Sequence, residues 1–566
     1  MALIFLSWIY ILITATNFGI LFRKFFGIQN CHIIIHQVLG LFLYTITTSL
    51  FAFFIRLHIE YYLGILIINI LITFSYRTTL KFYINALVKS IRELKTHYKL
   101  LYLFLFFIIL AQSSTQPYLL DNESYYIQTI KWLNEYGYVK GLANLHMFLG
   151  QNSAWHALQA GLNFPFLSTN FNDLNGFLFV IIGYLAIEKL NNYKPEGSIQ
   201  DFAFGMILIF SLFLMQFINS PSPDLIIFLL APYVFYLFII GYKKINVNDF
   251  KIILSLVLFL CFIKVTMGIL SILVIILFIK HFNTLKNKIL HYFILSGLIL
   301  ILFLLKNAIV SGYLIYPIQS LDILDVDWKQ PKVLLEFYNN GTYLAGMNNN
   351  ADVSTLNLIE RFKYWISIPK LHGVFNKIYI LFILIFPWFI VRSKDKSSMM
   401  VIYTLAILQF IVLWNTSPQY RFFFIFIIFL SIQFFISIIK HKSLGVSLVY
   451  LSIIASAIPV FFNINLNTFT NNHFSMALSQ FKLKHVVVPE GNSKTVTSFN
   501  KHIINGFEFN SPDDDVFFWS TGNGNIPCVN KKQIDYIMYY YNYIPQQRSK
   551  NLADGFKSIL IEKEMK

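Results

Sequence analysis

Apolar runs close to the length of a membrane span alternate with short polar breaks along most of this chain. A helix needs roughly 20 apolar residues to cross the hydrocarbon core of a bilayer, and there its backbone groups have to bond to one another. Runs near that length lie at 2–22, 36–56, 60–76, 99–113, 173–190, 202–219, 224–241, 250–263, 265–280, 290–306, 377–391, 398–415, 420–439 and 444–463. The pattern predicts an all-α polytopic membrane protein with about 14 transmembrane helices. The pair at 250–280 reads as two short spans broken at Lys264, because one span there would upset the alternation of sides.

That alternation puts Arg23-Lys24, Lys243-Lys244, Arg392 with Lys394 and Lys396, and the basic stretch 77–99 on one side. The positive-inside rule makes that side cytoplasmic. Both termini then face outward, as do the loops 114–172 and 307–376 and the region 464–566. Three parts follow: an N-terminal unit at 1–98, a transmembrane core at 99–463, and a small exoplasmic region of mixed α/β character at 464–566. Short strands are expected in that region at Val486–Val488 and Val516–Trp519. The first run lacks a basic flank ahead of it and is followed by Arg23-Lys24, so it reads as a retained span.

Composition agrees. Of 566 residues 57% are hydrophobic and 13% charged, about half the charge that wets a soluble protein. The net charge of +17 sits in the interhelical loops, and no compact basic domain suggests nucleic acid. Cys31, Cys261 and Cys528 fall in three different compartments, so no disulfide or thiolate metal site is expected.

Candidate chemistry gathers at the outer ends of spans. Asp121 and Glu123 open a segment whose Tyr126, Ile127, Ile130 and Leu133 share one helical face, with Gln128, Lys131 and Glu135 opposite. This predicts an amphipathic helix along the outer interface, and a second short helix is expected from Ser153 to Leu162. N-capping by Asp121 or Asn122 is the plain alternative for the acidic motif. Asp224 follows Pro223 at the start of a span, Lys264 lies at the tip of the short helix pair, and Tyr420-Arg421 opens another span. Their plain readings are a capping charge, a snorkelling lysine and an interfacial anchor. Together, two carboxylates and two cations at one depth match the needs of lipid-phosphate group transfer: a proton acceptor and cations for a phosphate leaving group. His146 and His156 are candidate sugar contacts, and Asp513-Asp514-Asp515 reads as a solvated acidic turn.

In this arrangement the chain resembles the GT-C superfamily, polytopic glycosyltransferases that use polyprenyl-phosphate sugar donors. The resemblance spans roughly residues 99–440 and rests on Asp121 or Glu123 in the first large outer loop, Pro223-Asp224, Lys264 and Tyr420-Arg421. The chain is also similar to the LIC_10190-type family of bacterial membrane proteins. That likeness runs through Tyr125-Tyr126, Trp132, Glu135-Tyr136-Gly137, Asn144, His146, Gln151-Asn152-Ser153, Trp155, Asn307, Tyr316-Pro317, Pro527-Cys528 and Gly555-Phe556. The GT-C likeness implies a GT-C-like core, a bacterial cytoplasmic membrane and inverting transfer of a sugar to a glycan, lipid or protein acceptor. It makes Asp121 the base and places Glu123, Asp224, Lys264, Tyr420 and Arg421 around donor and acceptor. A divalent cation such as Mg²⁺ or Mn²⁺, where used, would take oxygens of Asp121 and Asp224. The acidic motif is Asp-Asn-Glu rather than adjacent Asp-Glu, and no WWD motif follows, which argues against an oligosaccharyltransferase. A polysaccharide polymerase or ligase would use the same donors. A flippase or ion-coupled transporter would need midplane charges, which the spans lack apart from Lys264. A non-catalytic assembly protein is the remaining alternative.

Overall fold

A computed structural model describes residues 1–561 except 169–171, 195–197, 440, 472–479, 496 and 514. Asp514, the middle residue of the acidic turn, therefore lies outside the described residues. The protein is mostly helical, and 10 helices among the described residues are long and apolar enough to cross a membrane. The other four expected spans fall on shorter helices: Ile59–Ser75, Thr96–Gln112, Val247–Ile263 and Val265–Lys280. Many outward faces are apolar, with Phe74 75% and Leu384 73% exposed. Water would penalise such surfaces and lipid does not. This is a multi-pass membrane protein.

The first two spans, Ala2–Phe26 and Ile33–Phe51, pack closely because Gly40 lies against the Ala15 backbone. A Cβ at Gly40 would sit 1.7 Å from the Ala15 carbonyl oxygen, the kind of close approach that small residues permit between membrane helices. The basic stretch expected as a loop after Ile59–Ser75 is itself a helix, Arg77–Glu93, turned 88° from its predecessor. Its buried residue is Tyr83, stacked on His36 at 4.0 Å between ring centres.

The segment 114–172, expected as the first outer loop, is folded rather than laid flat. Asn122–Tyr126 forms a π-helical turn that runs into the helix Ile127–Glu135. The polar side of that helix, expected to face water, is covered by the C-terminal region. Lys131 Nζ donates to the Asn523 and Gly524 carbonyls at 3.0 and 2.9 Å, and Gln128 donates to Gly524 at 2.9 Å. The short helix Ala154–Ala160 begins with Ser153 accepting from the Trp155 amide.

The C-terminal region holds two antiparallel hairpins. In the first, β1 (Phe499–Ile504) pairs with β2 (Phe507–Pro512); in the second, β3 (Tyr543–Gln547) pairs with β4 (Phe556–Leu560). A helix, Lys531–Tyr541, lies between them in sequence. The strands expected at Val486–Val488 and Val516–Trp519 do not form. Leu483–Val486 is a 3₁₀ turn leading to Pro489, and 516–519 is irregular chain. The β1–β2 turn is Asn505-Gly506, with φ of 47° and 76°. Both values suit a two-residue hairpin turn of this composition.

Candidate functional site

The Asn175 side chain holds three elements in register. Asn175 accepts from Trp155 Nε1 at 2.7 Å and donates to the Phe217 and Ser222 carbonyls at 2.7 and 2.9 Å. The short helix Ala154–Ala160 is thereby tied to the turn that starts the helix Pro223–Lys243. In that turn Ser222 Oγ accepts from the Asp224 amide and Pro223 occupies the first helical turn. Asp224 therefore stands at a helix N-terminus, where a negative charge is favoured. Ser153 Oγ donates to the Ile263 carbonyl at 2.8 Å, and the next residue, Lys264, is extended between two helices. That break turns its side chain onto the Asp224 carboxylate as an ion pair.

The second pair joins residues 300 positions apart. Arg421 lies in the first turn of the helix Tyr420–Ile438, and its guanidinium meets Asp121 Oδ2 at 2.6 Å. Asp121 precedes the π-helical turn but its side chain caps nothing; its carboxylate points across to Arg421. The Tyr126 hydroxyl is 3.5 Å from the same oxygen. Burial first, then the Asp121 and Asp224 carboxylates, push the Tyr126 phenol well above its ordinary pKa. The turn before Arg421 is braced by the second long loop. Trp365 donates to the Pro418 carbonyl at 2.8 Å, and Ser417 donates to Thr342 at 2.9 Å. The Phe422 ring bridges the two pairs, 4.5 Å from Lys264 Nζ and 5.1 Å from the Arg421 guanidinium carbon.

Both pairs, Tyr420 and His156 line one cavity of about 1920 Å³. His156 packs against the Tyr126 ring at 4.7 Å, and burial holds its pKa down near 3, so it is neutral. Two candidates lie elsewhere. Glu123 does not line the cavity: its carboxylate accepts from Ser493 Oγ at 2.6 Å and from the Lys494 and Thr495 amides at 3.0 and 3.3 Å. It grips the C-terminal region. His146 also lies outside the cavity lining. Its Nδ1 accepts from the Phe148 amide, so Nε2 carries the hydrogen and donates to the Trp519 carbonyl at 3.1 Å. Among the described residues no group of three or more His, Cys, Asp or Glu side chains is arranged to hold a metal ion. Asp121 and Asp224 each face a cation of the chain instead.

Two further cavity residues escaped sequence reasoning. Lys306, near the C-terminal end of the helix Ile289–Ser311, is 3% exposed and lines the cavity. Its signal was an ionisable residue inside an apolar helix, which by default marks a functional position. Trp519 reaches the cavity from the C-terminal region and packs on Phe148 at 4.9 Å. No local pattern announced it.

A family model described as "Domain of unknown function (DUF8201)" matches residues 1–428. The chain belongs to the DUF8201 family. No curated protein and no solved structure matches it. In this DUF8201 member the matched residues include Asp121, Asp224, Lys264, Lys306 and Arg421, whereas Trp519 and the segment gripped by Glu123 lie beyond them.

Proposed function

We propose that the protein is a membrane glycosyltransferase of GT-C type. It moves a sugar from a polyprenyl-phosphate-linked donor to an acceptor hydroxyl on the non-cytoplasmic face of a bacterial cytoplasmic membrane. In this reading the chain crosses the bilayer fourteen times with both termini outside. Contact between the Met1 amino group and the His485 carbonyl supports placing the N-terminus and the C-terminal region on one side.

The observation that carries the proposal is the pair of carboxylate–cation contacts, Asp121–Arg421 and Asp224–Lys264, on the wall of a single cavity. An acceptor oxygen attacks the anomeric carbon from the face opposite the phosphate, and the anomeric C–O bond to phosphate breaks. The bond electrons leave with the polyprenyl phosphate, and the acceptor proton passes to the Asp121 carboxylate. Configuration inverts. Arg421 and Lys264 stabilise the charge growing on the departing phosphate, and a positioned base contributes about 10²–10⁴-fold. Tyr420, stacked on Phe375 at 4.9 Å, forms part of the wall beside Arg421.

Asp121→Asn keeps the side-chain shape and removes the base. The expected outcome is normal abundance of the variant in membranes with transfer to surface glycan lowered at least about 100-fold. Wild-type glycan levels in that variant would overturn the assignment.

A further inference from the structure

The charged side chains lining the cavity are Asp121, Asp224, Lys264, Lys306 and Arg421. Arg421 closes on Asp121 and Lys264 closes on Asp224, leaving two neutral pairs. Lys306 is the remaining charge, and no carboxylate among the described residues pairs with it. Its ammonium sits 5.2 Å from the Phe303 ring centre and 5.8 Å from that of Phe262. Ring faces soften the loss of water but carry no net charge. His156, also buried, lines the same cavity and packs against the Tyr126 ring. A charge 3% exposed with no counter-ion is costly to keep. A ligand that brings the opposite charge removes that cost.

We propose that Lys306 is the seat of a ligand oxyanion in this cavity. With Lys306 protonated the cavity's surplus is a single positive charge, which a phosphodiester with its single negative charge balances and so favours. The ligand class is therefore a phosphoryl compound whose phosphate lies against Lys306. Identifying this compound with the donor lipid rests on the glycosyltransferase reading; the charge argument does not. The same oxyanion chemistry has two sources, a lipid-borne phosphate or free inorganic phosphate.

The test uses the purified full-length protein in detergent, with binding followed by thermal shift and titration. The probes are a polyprenyl phosphate capped as its methyl phosphodiester, the matching uncharged polyprenol, and inorganic phosphate. The capped polyprenyl phosphate is expected to bind the wild type, and Lys306→Met to weaken it about 10- to 100-fold. Lys306→Arg is expected to retain binding, and polyprenol to bind both forms alike. Ligand-free Lys306→Met is expected to melt no lower than wild type, since an unpaired charge has been replaced by an apolar side chain of similar length. Lys306-dependent binding of inorganic phosphate alone supports the oxyanion seat and removes the lipid donor. Equal binding of the capped polyprenyl phosphate by wild type and Lys306→Met overturns the proposal. A Lys306→Met protein that melts lower or fails to fold overturns it too, because the lysine would then have a structural partner. Glycan transfer by Asp121→Asn, with Lys306-dependent phosphate binding intact, would overturn only the glycosyltransferase reading.

Discussion

Replacing Glu123 with Gln separates a structural carboxylate from a reacting one. Glu123 is 2% exposed. Oε2 accepts from Ser493 Oγ and the Thr495 amide, and Oε1 accepts from the Lys494 amide and Asn122 Nδ2. A carboxamide has one accepting oxygen. Oriented to keep the Lys494 bond, it turns its NH₂ toward the Thr495 amide, two donors face to face. The Ser493 hydroxyl can rotate and accept, so that contact survives in weaker form. Hydrogen bonds to a charged group contribute about 1.5–3 kcal/mol each, and a stranded buried donor costs about 1–3 kcal/mol. Allowing for the bonds Gln retains, docking of the C-terminal region should lose about 2–4 kcal/mol. The Lys494 and Thr495 amides, with Thr521 and Gly522 that donate to the Glu123 carbonyl at 2.9 and 2.8 Å, report on that docking. Their hydrogen exchange should accelerate about 30- to 1,000-fold, while amides inside the transmembrane helices keep wild-type rates. Unchanged protection at these amides, combined with abolished glycan transfer, would refute the structural role and return Glu123 to the reacting groups.

Other outcomes follow from the same contacts. Asp224→Ala strands Lys264, and with the lysine side chain 23% exposed the loss should be about 2–3 kcal/mol. A lowered melting temperature in detergent checks this, and the double variant with Lys264→Met should recover most of it; no recovery would mean the pair is not the unit. Burial holds the His146 imidazole down at about 4, from an ordinary 6.5. The folded state therefore binds fewer protons than the unfolded chain between those values, and stability falls as pH drops through that window. A loss of about 2 kcal/mol by pH 5 is expected at this contact, read as faster proteolysis of the C-terminal region. Cleavage rates that stay flat from pH 7 to pH 5 would contradict it.

The carboxylates and cations of the cavity were legible because a charge beside an apolar run stands out against its background. Asp121, Asp224, Lys264 and Arg421 were all recognisable that way, and Lys306 carried the same signal at the last residue of the expected span 290–306, five residues inside the helix that ends at Ser311. The Asn505-Gly506 turn was equally plain in composition. By contrast, the separation of Glu123 from Asp121 was invisible locally. The two residues are neighbours in sequence, yet one faces Arg421 and the other faces Ser493, 370 positions away.

What the sequence by itself determined is the membrane class and the approximate positions of the ten helices long and apolar enough to cross, because a lipid solvent demands long apolar runs whose backbones satisfy themselves. It also determined which ionisable groups sit near span ends. Only the tertiary structure decided their partners, since opposite charges lower one another's cost only within a few ångströms, and chain separation says nothing about that distance. The same physics buried the polar face of Ile127–Glu135 against the C-terminal region and left Lys306 as the cavity's one unbalanced charge among the described residues.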